Sequence, residues 1–114
     1  MKQDEINKRL QVGIEAARSA GKILELYANK IKNLKIKNNI PRDVYSKVDL
    51  MSENEIFLTV RKKFRNDSLH GEENGQINKK GNYKWIIDPL DGTVNYTHSI
   101  PIYSISIAIF YKNK

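Results

Sequence analysis

Asp88 and Asp91 sit three residues apart where the apolar run Trp85-Ile86-Ile87 ends, and Gly92-Thr93 follows at once. From Trp85 to Tyr111 the chain carries no Lys or Arg, although 20 of its 114 residues are basic. Uncompensated carboxylates at the end of a buried strand are costly unless a cation neutralises them. A hard metal ion, which prefers oxygen ligands, is the simplest such cation. Pro89 lacks an N–H and fixes its φ, so the strand ladder is expected to end there and the chain to turn. The Leu90 carbonyl then lies between the two acids as a further oxygen ligand. Gly92 permits a close backbone approach, and Thr93 opens a short helical turn whose free N–H groups would face a phosphate. Carboxylates, metal and helix N-terminus together suit a phosphate ester, because a metal ion polarises the phosphoryl group and generates hydroxide. Taken alone, the two aspartates fit a capped turn equally well. Glu72-Glu73, after Gly71, are a second source of acid. They read either as solvated loop residues or as a pair of which one completes a metal site or orients water.

These groups need elements to hold them. Ile6, Leu10, Ile14, Ala17, Gly21, Leu24 and Ala28 recur at three- and four-residue steps, which predicts an amphipathic helix over 4–30. Residues 33–45 read as irregular or as short strands, with Pro41 as punctuation. Ser46 and Asp49 make a capping-box-like pair that opens a second helix over about 47–65, with Ile56, Val60 and Phe64 on its buried face. Leu69-His70-Gly71 reads as a short connection, and residues 74–82 as a polar, glycine-containing loop. A strand is expected over Lys84–Ile87 and a turn over 92–98. The alternation of Ile105, Ile107 and Ile109 with Ser104, Ser106 and Ala108 makes 103–111 the clearest strand. Its second face is small but uncharged, so cover on both sides is expected. The chain stops at Lys112-Asn113-Lys114, directly after that strand. A strand needs neighbours, so the chain is expected to be incomplete as a folding unit.

Composition bounds the remaining classes. A chain of 114 residues with 39% apolar and 29% charged residues fits one soluble domain with a real core. No apolar run is long enough to cross a bilayer, and Met1–Glu5 has no apolar secretory h-region. The lack of cysteine excludes disulfides and Cys-ligated zinc and fits a reducing, cytoplasmic setting. The net charge of +7 raises the question of nucleic acid. The basic residues are dispersed, with no run of five and no aromatic interleaving, which favours solvated charge over a nucleic-acid surface.

The motif Asp88-Pro-Leu-Asp-Gly-Thr-Val-Asn-Tyr-Thr-His-Ser-Ile-Pro101, followed by Ser104-Ile-Ser-Ile-Ala108, resembles the signature of the inositol monophosphatase family. Trp85-Ile-Ile before it, Gly71-Glu-Glu upstream and Asp43-Val-Tyr-Ser-Lys-Val-Asp49 are similar to that family's other N-terminal motifs. The resemblance covers nearly the whole chain. It implies an α+β fold in which two N-terminal helices pack on an antiparallel sheet. This would be the N-terminal half of the family's layered αβαβα architecture, with residues 1–114 as its N-terminal metal-binding domain.

The resemblance further implies a Mg²⁺-dependent, lithium-sensitive phosphomonoesterase. Glu72, Asp88, Asp91 and the Leu90 carbonyl would bind Mg²⁺. Asp91 would also lie at the substrate, and Gly92 and Thr93 would offer N–H groups to the phosphate. The Thr93 hydroxyl, supported by Glu72 or Asp49, would orient the attacking water. Lys37 falls near the family's active-site basic residue, whereas His98 lies beyond the phosphate end of the turn and reads as structural. Tyr96 stands where Phe is usual and Val94 where Thr is common. Family members are roughly twice this length, and their second half carries a Trp-Asp-x-Ala-Ala motif whose aspartate ligates metal and contacts substrate. That motif is absent from this sequence, so the C-terminal domain is expected to be missing and residues 1–114 alone to turn over little substrate. Inositol monophosphate or a related sugar phosphate is the implied substrate, with Asn95-Tyr96-Thr97-His98 resembling the inositol branch. The alternatives are 3′-phosphoadenosine 5′-phosphate, histidinol phosphate and fructose 1,6-bisphosphate. A homodimer is implied for a full-length form. Some bacterial relatives bind the transcription machinery, which makes a non-enzymatic regulatory role the competing class.

Overall fold

The computed structural model describes residues 2–36, 44–91 and 104–112, and the side chains of 3–30, 47–88 and 104–112. Two helices, α1 (Lys2–Ile36) and α2 (Val44–Lys63), precede four strands: β1 (Ser68–Gly71), β2 (Gly75–Ile77), β3 (Tyr83–Asp91) and β4 (Ser104–Tyr111). The strands form one sheet in the order β2-β1-β3-β4. No helix among the described residues is long and apolar enough to cross a membrane.

The α+β arrangement of two helices on a sheet is as expected, but the sheet is mixed rather than antiparallel. β1–β2 and β3–β4 are antiparallel, while β1–β3 is parallel, with Leu69 opposite Trp85 and Gly71 opposite Ile87. The reason lies in two successive reversals. The chain turns at residues 72–74 into β2, where Gly75 adopts a φ of 68°, and turns again at 78–82. It then runs in the direction of β1 and pairs on that strand's other edge. The second reversal is tied to the start of β1. Asn78 Nδ2 donates to the Arg65 and Asp67 carbonyls at 2.9 and 3.2 Å, and Ser68 Oγ donates to the Asn78 carbonyl. Leu69–Gly71 and residues 75–77 are therefore strands, not the connection and loop that their polarity suggested. A three-residue edge strand carries too little apolar pattern to be read locally.

One face of the sheet carries the core. Val12, Ala16 and Ala20 of α1, Ile56, Phe57 and Val60 of α2, Leu69 of β1, and Trp85 and Ile87 of β3 form a single buried cluster. Phe64 and the β4 residues Ile105, Ile107 and Ile109 pack against it. The α2 face and the inward set of β4 are thus as their periodicity indicated. The opposite face of β4 differs, because Ser104 and Ser106 are exposed among the described residues.

α1 departs from its sequence pattern. Leu24 is buried as expected, but Leu10 and Ile14 are 52% and 39% exposed, whereas Arg9, Val12, Ala16 and Ala20 are buried. Over residues 9–20 the buried stripe is shifted by one residue from the expected one, a rotation of roughly 100°. Small residues let the helix close on the sheet, and Gly13 lies so near Trp85 that a methyl there would sit 3.4 Å from its Cζ3. The rotation also brings Arg9 to Asp67. Residues 33–36 belong to α1, so irregular structure there is not observed, and 37–43 lie outside the described residues. α2 begins at Val44, which places Ser46 inside the helix and removes it as an N-cap.

Candidate functional site

Parallel pairing of β1 and β3 puts the C-terminal ends of both strands at the same end of the sheet. Since Gly71 pairs with Ile87, the residues that follow, Glu72 and Asp88, occupy corresponding positions. α2 crosses this end with Asp49 and Glu53. The two are four residues apart, so they lie on one helix face.

The electrostatics identify the meeting point. Burial pushes the Asp49 carboxyl up from an ordinary 3.8 to about 6, reinforced by the charges of Glu73, Glu72, Asp88 and Glu53. Five carboxylates from α2, the β1–β2 turn and β3 therefore share one locality. Asp49 Oδ1 is buried and has no hydrogen-bond partner among the described residues. An ionised carboxylate with an orphaned buried oxygen among like charges is high in energy unless a cation joins it. The donors are all hard oxygens, which fits Mg²⁺ and not a soft metal. Among the described residues no three of these groups converge closely enough to hold an ion on their own. Any ion at this end thus draws on ligands beyond the described side chains.

Of the residues expected at the site, Asp49, Glu72 and Asp88 are brought together. Leu90 and Asp91 belong to β3, which runs past Pro89 instead of ending there. The ladder is interrupted: Asp88 pairs with Ser106 and Asp91 with Ser104, so two residues of β3, Pro89 and Leu90, lie opposite one of β4, Ile105. The irregularity sits where the proline cannot donate, and pairing then resumes. The side chains of Leu90 and Asp91, and all of Lys37, Gly92, Thr93 and His98, lie outside the described residues.

Glu53 went unrecognised in the sequence. It is fully buried, and its carboxylate accepts from the Glu73 N–H at 3.2 Å and the Asn74 N–H at 2.5 Å. Asn74 Nδ2 adds a third bond at 2.8 Å. Its one local signal is the four-residue spacing from Asp49.

Asp49 leads to a pH prediction. Its proton is held more tightly in the folded chain, so stability is fully present below the unfolded value of 3.8 and falls as pH rises through about 6. Asp49→Asn removes this loss. In metal-free buffer at pH 7–8 the variant should be more stable by about 1 kcal/mol, after discounting the shift for solvent screening. Thermal melts in a chelator check this; a variant no more stable than the native chain at pH 7.5 refutes it.

A family model described as the inositol monophosphatase family matches residues 5–114. Nus factor SuhB of Pseudomonas aeruginosa is 34% identical over 108 residues, covering 92% of this chain and 40% of that protein. The fructose-1,6-bisphosphatase/inositol-1-monophosphatase of Aquifex aeolicus is 35% identical over 106 residues, covering 93% and 40%. Among solved structures, inositol monophosphatase from Anabaena (Nostoc) sp. PCC 7120 superposes with a TM-score of 0.76 at 30% identity, over 95% of this chain and 37% of that one. The chain spans about 40% of the length of the curated relatives it matches.

Proposed function

Since the chain belongs to the inositol monophosphatase family, we propose that it contributes the metal-binding side of a Mg²⁺-dependent phosphomonoesterase acting on inositol monophosphate or a related sugar phosphate. The observation that carries this reading is the orphaned, buried Asp49 oxygen among the carboxylates of Glu72, Glu73, Asp88 and Glu53. Family membership supports a hydrolase of small phosphate esters, and relatives carry both inositol-1-monophosphatase and fructose-1,6-bisphosphatase names.

In this reading Glu72, Asp88, Asp91 and the Leu90 carbonyl would hold Mg²⁺, which when bound would polarise the phosphoryl group and lower the pKa of water. The chain's own groups do the rest. The Gly92 and Thr93 N–H groups would seat the phosphate, since free N–H groups opening the helical turn expected there would favour an anion. The Thr93 hydroxyl, supported by Glu72 or Asp49, orients the water for in-line attack. Asp91 also contacts the substrate. We read the protein as cytoplasmic, on its lack of cysteine, and as a homodimer in a longer form.

The test is release of inorganic phosphate from inositol 1-phosphate and fructose 1,6-bisphosphate, with Mg²⁺ and with chelator, by the protein extended to the length of its relatives. Mg²⁺-dependent release is expected, fastest with inositol 1-phosphate. No release from any sugar phosphate removes the enzymatic reading. Asp91→Asn should weaken Mg²⁺ binding by calorimetry, and unchanged affinity strikes Asp91 from the ligand set.

A second reading, a regulatory role with the transcription machinery, is favoured by relatives that carry the name Nus factor SuhB. It is distinguished by an Asp88→Asn variant that loses phosphate release yet keeps that role.

A further inference from the structure

Glu53 is a fully buried carboxylate, with no ion-pair partner among the described residues. A buried charge of this kind is tolerated only when hydrogen bonds replace its hydration. Here the donors all come from the turn after β1: the main-chain N–H groups of Glu73 and Asn74, and the Asn74 side-chain amide. Asn74 Nδ2 also reaches back to Asn54 Oδ1 at 2.9 Å, so the turn is stitched to α2 at two successive residues.

The preceding residue completes the device. A methyl at Gly71 would sit 2.8 Å from Glu53 Oε2 and nearer still to Oε1. Only glycine leaves room for the carboxylate against the last residue of β1. Glu72 lies between these two restraints, with Gly71 under the carboxylate on one side and the Glu73 N–H bound to it on the other. Its backbone is fixed relative to α2, the helix that carries Asp49.

We propose that Glu53 is the positioning residue of the carboxylate site: its buried carboxylate locks the Glu72–Asn74 turn to α2 and so presents Glu72 to Asp49 and Asp88. The proposal rests on the metal-binding role assigned to Glu72 above. Glu53 itself touches neither metal nor substrate. It acts through the turn, as outer residues that orient metal ligands do.

The test uses Mn²⁺ as the probe, with free Mn²⁺ followed by electron paramagnetic resonance, and amide hydrogen exchange at Glu73 and Asn74. Glu53→Gln keeps the shape but turns one acceptor oxygen into a donor facing N–H groups. It should weaken Mn²⁺ binding by about 10- to 100-fold and speed exchange at both amides. Glu55→Gln, on the same helix, should change neither. Asn74→Ala sits in an exposed turn and removes one donor of three, so a several-fold loss of affinity in the same direction is expected. It decides the matter if Glu53→Gln does not fold. Native-like Mn²⁺ affinity in the folded Glu53→Gln variant, or in Asn74→Ala when the former is unfolded, overturns the role of Glu53 alone. Failure of the native chain to bind Mn²⁺ overturns the metal reading, and the proposal with it. Faster exchange at Glu73 and Asn74 with unchanged affinity shows a merely structural bond and also overturns it.

Discussion

Asp67→Ala should destabilise the chain by about 3–5 kcal/mol, because it strips a buried cation of its partner. Arg9 and Asp67 are 6% and 5% exposed, and the guanidinium meets the carboxylate through two bonds, Nε–Oδ2 at 2.7 Å and Nη2–Oδ1 at 2.8 Å. Trp85 Nε1 donates to the same Oδ2 at 2.9 Å. One carboxylate thus satisfies groups from α1 and β3 at the point where β1 begins. Removing it leaves the indole N–H buried without its acceptor and Arg9 hydrogen-bonded, among the described residues, to Glu5 alone, through the carbonyl at 3.1 Å and Oε2 at 3.0 Å. The planar cation cannot move to water cheaply, since it lies over the Phe64 and Tyr83 rings at 4.1 and 3.5 Å from their centroids. Urea denaturation measures the change, and a loss below about 1 kcal/mol contradicts this account. Replacing both partners with apolar residues of similar volume should cost much less than removing Asp67 alone.

On the proposed phosphatase reading, Asp88→Asn in the protein extended to the length of its relatives should lower Mg²⁺-dependent phosphate release at least about 100-fold, since even residues that merely orient metal ligands are worth 10- to 100-fold. Asp88 lies in β3 directly before the proline bulge, and its charge reaches Asp49 across the end of the sheet. The amide keeps the shape but removes one negative charge from the set proposed to balance the metal. Raising Mg²⁺ should restore part of the lost rate if binding is what fails. A rate unchanged from that of the native protein, at low and high Mg²⁺ alike, excludes Asp88 as a ligand.

The two experiments probe different parts of one design. Arg9, Asp67 and Trp85 tie α1 to the start of β1 and to β3, far along the strands from Glu72 and Asp88. The carboxylates are mutually repulsive in the metal-free chain, as the raised Asp49 carboxyl shows.

What could be read along the chain is contiguous. Asp88, Asp91, Gly92 and Thr93 lie within six residues, so their spacing alone suggests a metal and a phosphate. The α2 face and the inward isoleucines of β4 were legible because hydrophobic periodicity is local. The first half of the α1 stripe was not. Leu10 and Ile14 fit the helical period, yet Ala16, Ala20 and a buried Arg9 face the core, because close approach to Trp85 and pairing with Asp67 outweigh side-chain hydrophobicity.

The site's assembly depends on partners far apart in sequence. By its spacing Asp49 read as half of a capping box, with a site role implied only by the family resemblance, and the position of α2 over the strand ends is what raises its carboxyl. Glu53 resembled any helical glutamate until the turn after Gly71 donated three hydrogen bonds to it. Glu72 and Asp88 stand at the same end of the sheet because two chain reversals make β1 and β3 parallel, and a parallel register brings both strand ends to one side. Residue types and short spacings set which chemistry this chain can perform. Long-range strand direction and helix placement set where its charges meet, because charge–charge energy depends on distance through space and not along the chain.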